Sequence, residues 1–294
     1  MKKILITGAN SYIGTSVENW LKQYNNEYRV DTIDMIDGSW KNKSFSNYDV
    51  VYHVAGIAHD TGNKKDKDLY YRVNRDLAIE TAIKAKKDGV KQFIFMSSML
   101  VYNGCKDRII TMNTKPMIKG YYGDSKLQAD LALQKLSDEK FHVAIVRPPM
   151  IYGPNCKGNF PKLVKLAKNT PLFPKFKNKR SMLFIDNLSE FIRLLIDSGD
   201  AGIYFPQNDE YLCTYEIIKL IASECKKKIW YTVLGNWLIY IVRSFSATFN
   251  KVFGDLIYDK DMSKCFDKKY LVKDNKIIDS IFVANIPTNY SMGR

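Results

Sequence analysis

Tyr122 and Lys126 stand four residues apart, a spacing that puts both side chains on one face of a helix. A phenol beside an ammonium ionises below its ordinary pKa of about 10, and a general base needs that tuning. Ser97 and Ser98 close a predicted strand over residues 92–97. A serine hydroxyl there can hydrogen-bond a reacting oxygen. Upstream, Gly8-Ala9-Asn10-Ser11-Tyr12-Ile13-Gly14 joins a predicted strand to a predicted helix. Gly8 admits a tight turn and Gly14 lets the helix close onto the strand. The backbone N–H groups of Asn10, Ser11, Tyr12 and Ile13 then face a pyrophosphate, helped by the helix dipole. Asp34 follows 20 residues after Gly14. A carboxylate there accepts both ribose hydroxyls of an adenosine and repels a 2′-phosphate, which favours NAD over NADP. Asp37 competes for that role.

These groups need a scaffold, and the first half of the chain supplies one. Continuous apolar runs over residues 3–7, 29–34, 49–54, 92–97 and 142–146 predict buried strands. Amphipathic stretches over 15–24, 70–87 and 123–136 predict helices between them. The alternation implies an α/β fold, a Rossmann-type doubly wound parallel sheet covered on both faces. Open sheets of this kind bind ligands beyond the carboxyl ends of their strands, where Gly8, Ser98 and Pro148 all fall. Prolines loosen the pattern after about residue 150. The reading is therefore a dinucleotide-binding domain over 1–152 and a smaller C-terminal substrate domain over 153–294. A strand at 181–185 and a helix at 188–196 are expected to return to the first sheet.

The chain has 294 residues, 46% hydrophobic and 26% charged, with a net charge of +14. Disordered, collagenous and disulfide-stapled classes are excluded. The basic surplus suggests a polyanionic partner, but the lysines read as scattered and no recognition motif accompanies them, so no nucleic acid is expected. Five cysteines, none spaced C-x-x-C, fit a reducing, cytoplasmic setting, and no secretory signal precedes the first strand. No His/Cys/Asp/Glu cluster has ligand spacing, so no metal is expected. His53 and His142 read as structural strand residues, and His59 lies in a loop near the expected ligand. The aromatic stretch over 230–253 reads as the core of the small domain or, alternatively, as a face for a partner or a membrane surface. Its apolar run ends at Arg243, too short to span a bilayer.

The motifs jointly resemble an extended short-chain dehydrogenase/reductase of the nucleotide-sugar epimerase/dehydratase branch. Those carrying the resemblance are Thr7-Gly8-Ala9-x-x-Tyr12-Ile13-Gly14, the run Asp49-Val50-Val51-Tyr52-His53-Val54-Ala55-Gly56, Asn74, Ser97-Ser98-x-x-Val101-Tyr102, Tyr122-x-x-x-Lys126, Arg147-Pro148-Pro149-x-x-Tyr152-Gly153-Pro154 and Arg180-Ser181-Met182-Leu183-Phe184-Ile185-Asp186. They occur in family order over about residues 1–200.

The resemblance implies that Ser98, Tyr122 and Lys126 are catalytic, with Ser98 and Tyr122 also touching the substrate. It implies that Val54, Ala55, Gly56, Met96, Pro148 and Lys126 line NAD, and that Asn74 has a structural or cofactor-contact role. Arg180 would meet the substrate's phosphates, and Asn159 and Phe160 would open the helix that covers its nucleotide. The implied substrate is a small-molecule nucleotide sugar, a UDP-hexose interconverted at C4 through a 4-keto intermediate. A homodimer without membrane insertion is also implied. Two departures stand out: Ser11 replaces the family's middle glycine, and Met150 stands where many UDP-hexose 4-epimerases carry asparagine. Met99-Leu100 replaces the acidic pair of the 4,6-dehydratases, which argues against elimination. Two alternatives remain: an NAD(P)H-dependent 4-ketoreductase of a UDP-4-keto-6-deoxy sugar, and a non-catalytic dinucleotide sensor. Retention of Ser98, Tyr122 and Lys126 counts against the sensor.

Overall fold

The computed structural model describes residues 1–57, 67–156, 158–245 and 252–272. His59 lies outside the described residues. The main sheet is parallel and six-stranded. It contains β1 (Lys2–Thr7), β2 (Tyr28–Ile33), β3 (Val50–His53), β4 (Gln92–Met96), β6 (His142–Val146) and β10 (Gly202–Tyr204), in the spatial order β10-β6-β4-β3-β1-β2. The order reverses between β1 and β3, which makes their carboxyl ends the switch point where such sheets take ligands. Ile4, Leu5, Ile6, Val51 and Phe93 are wholly buried, as expected of strands covered on both faces.

Helices α1 (Tyr12–Leu21) and α6 (Ile185–Ser198) share one face of the sheet. Trp20 Nε1 donates to Glu190 at 2.8 Å and the Tyr28 hydroxyl donates to Asp197 at 2.7 Å. The other face carries α3 (Leu77–Lys87) and α4 (Tyr121–Gln134). The stretch predicted as one helix over 70–87 is three pieces: α2 (Lys67–Tyr70), a π-helical turn at Tyr71–Asp76, and α3. A π-turn adds a residue per turn and often marks a functional site; here it carries Asn74 inward.

The expected return to the sheet is divided differently from the sequence reading. β9 (Met182–Phe184) pairs with β7 (Met150–Tyr152) in a separate two-stranded sheet, while α6 and β10 join the main layers. Short edge strands pair where their neighbours leave room, and apolar pattern alone does not specify the partner. The smaller region holds α5 (Asn159–Asn169), α7 (Thr214–Glu224) and α8 (Asn236–Phe245), with β8 (Leu172–Pro174) paired to β11 (Trp230–Thr232). β12 (Ile257–Tyr258) pairs with β5 (Ile109–Ile110) and ties the chain's late residues back to the first half. Among the described residues, no helix is long and apolar enough to cross a membrane.

Candidate active site

The glycine loop meets the end of β3 at the switch point. Gly8 has φ +92°, and a Cβ there would come within 2.9 Å of the Ala55 backbone, so no larger residue fits the turn. Asn10 also takes a left-handed φ of 62°, which asparagine tolerates. Ser11, the departure from the glycine pattern, has an ordinary extended backbone and caps α1, its Oγ accepting from Gly14 N–H at 3.1 Å. A hydroxyl therefore satisfies one donor of the first turn, and the helix still presents its amino end at the loop. The Tyr12 side chain turns away toward Gly153, whose Cβ would lie 2.8 Å from the phenol oxygen. Asp34, just past β2, is exposed and accepts from Ile36 N–H at 2.8 Å. Asp37 accepts from the Ser39 N–H and hydroxyl, bonds that hold it below the ordinary carboxylate range.

The turn after β3 is fixed by a single amide. Asn74, wholly buried, accepts from Ile57 N–H at 2.9 Å and donates to the Ile57 carbonyl at 3.1 Å and to Ser125 Oγ at 3.3 Å. It locks the Val54-Ala55-Gly56 turn onto α4. A Cβ on Gly56 would lie 2.9 Å from Asn74 Oδ1 and 3.1 Å from Lys126 Nζ. These glycines, the capped helix start and the buried lysine meet at the switch point, where such sheets take dinucleotides.

Lys126 is 4% exposed and donates to the Met96 carbonyl at 2.8 Å, with Nζ 4.7 Å from the Phe95 ring centroid. Burial pushes its ammonium down to about 7. The Ser98 hydroxyl lies beside the Tyr122 phenol and caps the following turn by accepting from Leu100 N–H at 3.1 Å. Ser98, Tyr122 and Lys126 thus converge beyond the ends of β4 and β6. One expectation needs correcting. The phenol of Tyr122 lies above its usual range, because burial outweighs the downward pull of the neighbouring Ser98 hydroxyl. Lys126 donates one of its three N–H groups to Met96, and burial draws its ammonium down.

Sequence reading missed the packing that supports these groups. Tyr70 is buried and meets Tyr122 edge to face at 6.5 Å. Asp130, wholly buried on α4, accepts from Arg147 Nε at 2.8 Å and Nη2 at 3.1 Å, from Ser97 Oγ at 3.1 Å and from Gln134 at 2.6 Å. Arg147 Nη1 donates to the Tyr102 hydroxyl at 2.7 Å, and the Tyr258 hydroxyl donates to the Arg147 carbonyl at 2.9 Å. Ser97 and Arg147 are therefore structural, and Ser98 alone of the serine pair reaches the phenol. An acid one helical turn beyond Lys126 was the available signal. His53, paired to Thr7 Oγ1 at 2.8 Å, is held neutral by burial, its pKa pushed down to about 3.

The substrate-side expectations divide. Phe160 is 1% exposed and stacks on Tyr152 at 5.6 Å. Its side chain belongs to the core rather than to a ligand surface, because α5 must bury an apolar face. Asn159 begins α5. Pro148 is buried, and its carbonyl accepts from Met99 N–H at 2.9 Å. Arg180 is partly buried, its backbone paired with Leu212 and Leu256, and burial draws its guanidinium down to about 10. Met150 stands in β7 opposite Met182.

A sequence profile of the NAD dependent epimerase/dehydratase family matches residues 4–205. The UDP-glucose 4-epimerase of Vibrio cholerae is 30% identical over 86% of this chain and 83% of its own length. The N-acetyl-alpha-D-glucosaminyl-diphospho-ditrans,octacis-undecaprenol 4-epimerase of Escherichia coli O157:H7 is 26% identical over 77% of this chain and 73% of its own length. Among solved structures, the UDP-glucuronic acid 4-epimerase of Bacillus cereus in complex with NAD superposes with a TM-score of 0.74, at 19% identity over 96% of this chain and 94% of that one.

Proposed function

Because the chain belongs to the NAD dependent epimerase/dehydratase family, we propose that it interconverts a nucleotide-activated hexose, a UDP-sugar, with its C4 epimer. The observation that carries this reading is the placing of the Ser98 hydroxyl beside the Tyr122 phenol, with Lys126 buried on the same helix and held to the end of β4, at the strand ends that face the glycine loop. The residues that hold NAD are the backbone of Asn10 to Gly14, the turn Val54-Ala55-Gly56, Asp34 on the ribose, and Lys126. When bound, NAD accepts and returns the hydrogen carried by the sugar's C4 carbon. Tyr122, as the phenolate, takes the proton of the 4-hydroxyl and gives it back, a role that requires bound cofactor and sugar to bring the phenol down from its raised value. Ser98 donates a hydrogen bond to the same oxygen as it becomes a ketone. Release of the ketone's grip between the two steps lets the ring present its other face. Arg180 supports the substrate's phosphates.

The experiment is incubation of the purified protein with NAD and UDP-glucose or UDP-N-acetylglucosamine, separating the sugars by anion-exchange chromatography. Appearance of the C4 epimer without net change in NADH absorbance is the expected result. NADH consumption confined to a 4-keto substrate replaces the reading with a reductase, and cofactor binding without any turnover replaces it with a sensor. One observation favours a second substrate class. The Escherichia coli relative is named for a sugar on a polyprenyl diphosphate, and the small region here carries exposed tryptophans beside lysines. The same assay with a lipid-diphosphate-linked N-acetylhexosamine separates the two classes.

A further inference from the structure

The small region turns an apolar face outward. On α8, Ile239 is buried, whereas Trp237, Leu238 and Ile241 are exposed. Leu234, in the turn before the helix, is 84% exposed, and positions 234, 237, 238 and 241 share one side at helical spacing. Next to it, Trp230 of β11 is 69% exposed, and so is much of its ladder partner Leu172. Single exposed apolar residues are ordinary, but two tryptophans and several aliphatics on consecutive elements form a patch of the kind that marks an interaction site.

The sequence stretches that build this region are one-sided in charge. Residues 157–180 contain eight Lys or Arg and residues 225–254 contain five, with no Asp or Glu in either stretch. Together they hold thirteen of the fourteen net positive charges. Two contacts bring the described parts of these stretches together. α5 exposes Lys162, Lys165 and Lys168 at intervals of three. Lys227 Nζ donates to the Lys168 carbonyl at 2.5 Å, and Asn236 at the start of α8 donates to the Lys175 carbonyl at 3.0 Å. Lys228 Nζ lies 5.6 Å from the Trp230 ring centroid.

We propose that this face docks the protein onto an anionic phospholipid bilayer. Indole rings and short aliphatic ridges settle at the headgroup boundary, and lysine stems lie along them with their ammonium ends toward lipid phosphates. Charge decides the occupant. A second copy would bring two lysine-rich stretches of like charge together, whereas an anionic surface neutralises both at once. α8 is ten residues long, so it lies on the bilayer and does not cross it. The docking is independent of the reaction at Tyr122: a soluble UDP-sugar is epimerised whether or not the face is occupied.

The test is co-sedimentation of the full chain with vesicles of phosphatidylglycerol and phosphatidylethanolamine, against vesicles of phosphatidylcholine alone. Binding to the anionic vesicles only, weakening as salt is raised, is expected. Trp237→Glu is expected to reduce it about tenfold or more, and Lys226→Gln/Lys228→Gln to reduce it and flatten its salt dependence. Unchanged NAD binding by both variants shows that they are folded. Failure to bind anionic vesicles overturns the proposal, as does full binding by Trp237→Glu. A concentration-dependent dimer in the ultracentrifuge that Trp237→Glu dissociates, without vesicle binding, also overturns it and assigns the face to a second copy.

Discussion

Lys126 and Trp237 each sit in the environment opposite to their chemistry. The lysine is an ammonium sealed beneath the sheet's carboxyl edge, and the tryptophan is an indole left in water on the small region's rim. Both placements forgo stability. At Lys126 the loss is tied to neighbours built around it: Asn74, Gly56, the Met96 carbonyl and Tyr122. At Trp237 nothing on its exposed side repays the loss within the chain's described residues. The difference separates a site completed internally from a surface completed by something else. Catalytic residues that are over-determined by their packing should respond sharply to single substitutions. Rim residues should respond only when the outside partner is present.

The largest effect is expected at the phenol. Tyr122→Phe removes the proton acceptor and keeps the ring that packs on Tyr70, so turnover should fall about a thousandfold or more while NAD binding stays close to wild type. Steady-state epimer formation and equilibrium NAD titration check the two halves. An equal loss in both would mean that Tyr122 shapes the cofactor cradle, and the distinction between chemistry and positioning at this edge would collapse.

Next comes the support beneath the site. Asp130→Leu leaves Arg147 buried without its bidentate partner, and urea unfolding should register a loss of about 3–5 kcal/mol. The pair Asp130→Leu/Arg147→Met should recover most of it, because an apolar pair of similar volume carries no desolvation penalty. Failure of the double variant to recover would show that Ser97, Gln134 and Tyr102 depend on the charges themselves.

Lys126→Met should go the other way. The native ammonium is held down to about 7 by burial, so the unfolded chain binds more protons than the folded one between that value and the ordinary lysine range. Wild-type stability therefore rises with pH across that window, and the penalty is complete below pH 7. The Met variant lacks the penalty. It should be more stable by about 1–4 kcal/mol at pH 7, inactive, and progressively less advantaged as pH rises toward 10. Thermal melts at several pH values read this directly. A variant less stable than wild type at pH 7 would mean that the Met96 hydrogen bond outweighs burial of the charge.

How much of this was legible in the sequence follows the same division. Gly8, Gly14, Ser98, Tyr122 and Lys126 could be placed because each obeys a local rule: a turn that tolerates only glycine, a strand end, a four-residue helical spacing. The strands of the sheet announced themselves as continuous apolar runs. What escaped was set by contacts distant in sequence. Arg147 meets Asp130 and Tyr258 across the molecule, β9 chose β7 as its partner, and the π-turn at Asn74 has no signature in residue type. Phe160 looked like a ligand contact because its motif opens a helix, yet that helix needed an anchor in the core more than a side chain at its mouth. For the stretch over 230–253 the sequence left two readings open, a core or a face for a partner or membrane surface, because only the fold shows which side of α8 remains uncovered.

The smallest expected effect is the most discriminating for that rim. Trp237→Ser removes a large apolar side chain, yet with 64% of it already in water stability should move by no more than about 0.5 kcal/mol. Ile239→Ala, two residues on along the same helix but on its buried face, deletes fewer atoms and should cost about 2–3 kcal/mol. Chemical denaturation of the two variants side by side gives the ratio. If Trp237→Ser costs as much as Ile239→Ala, part of the chain covers the indole in solution and α8 is an ordinary core helix. If the asymmetry holds, the face is stabilised by nothing within the protein, and whatever it meets must be found outside.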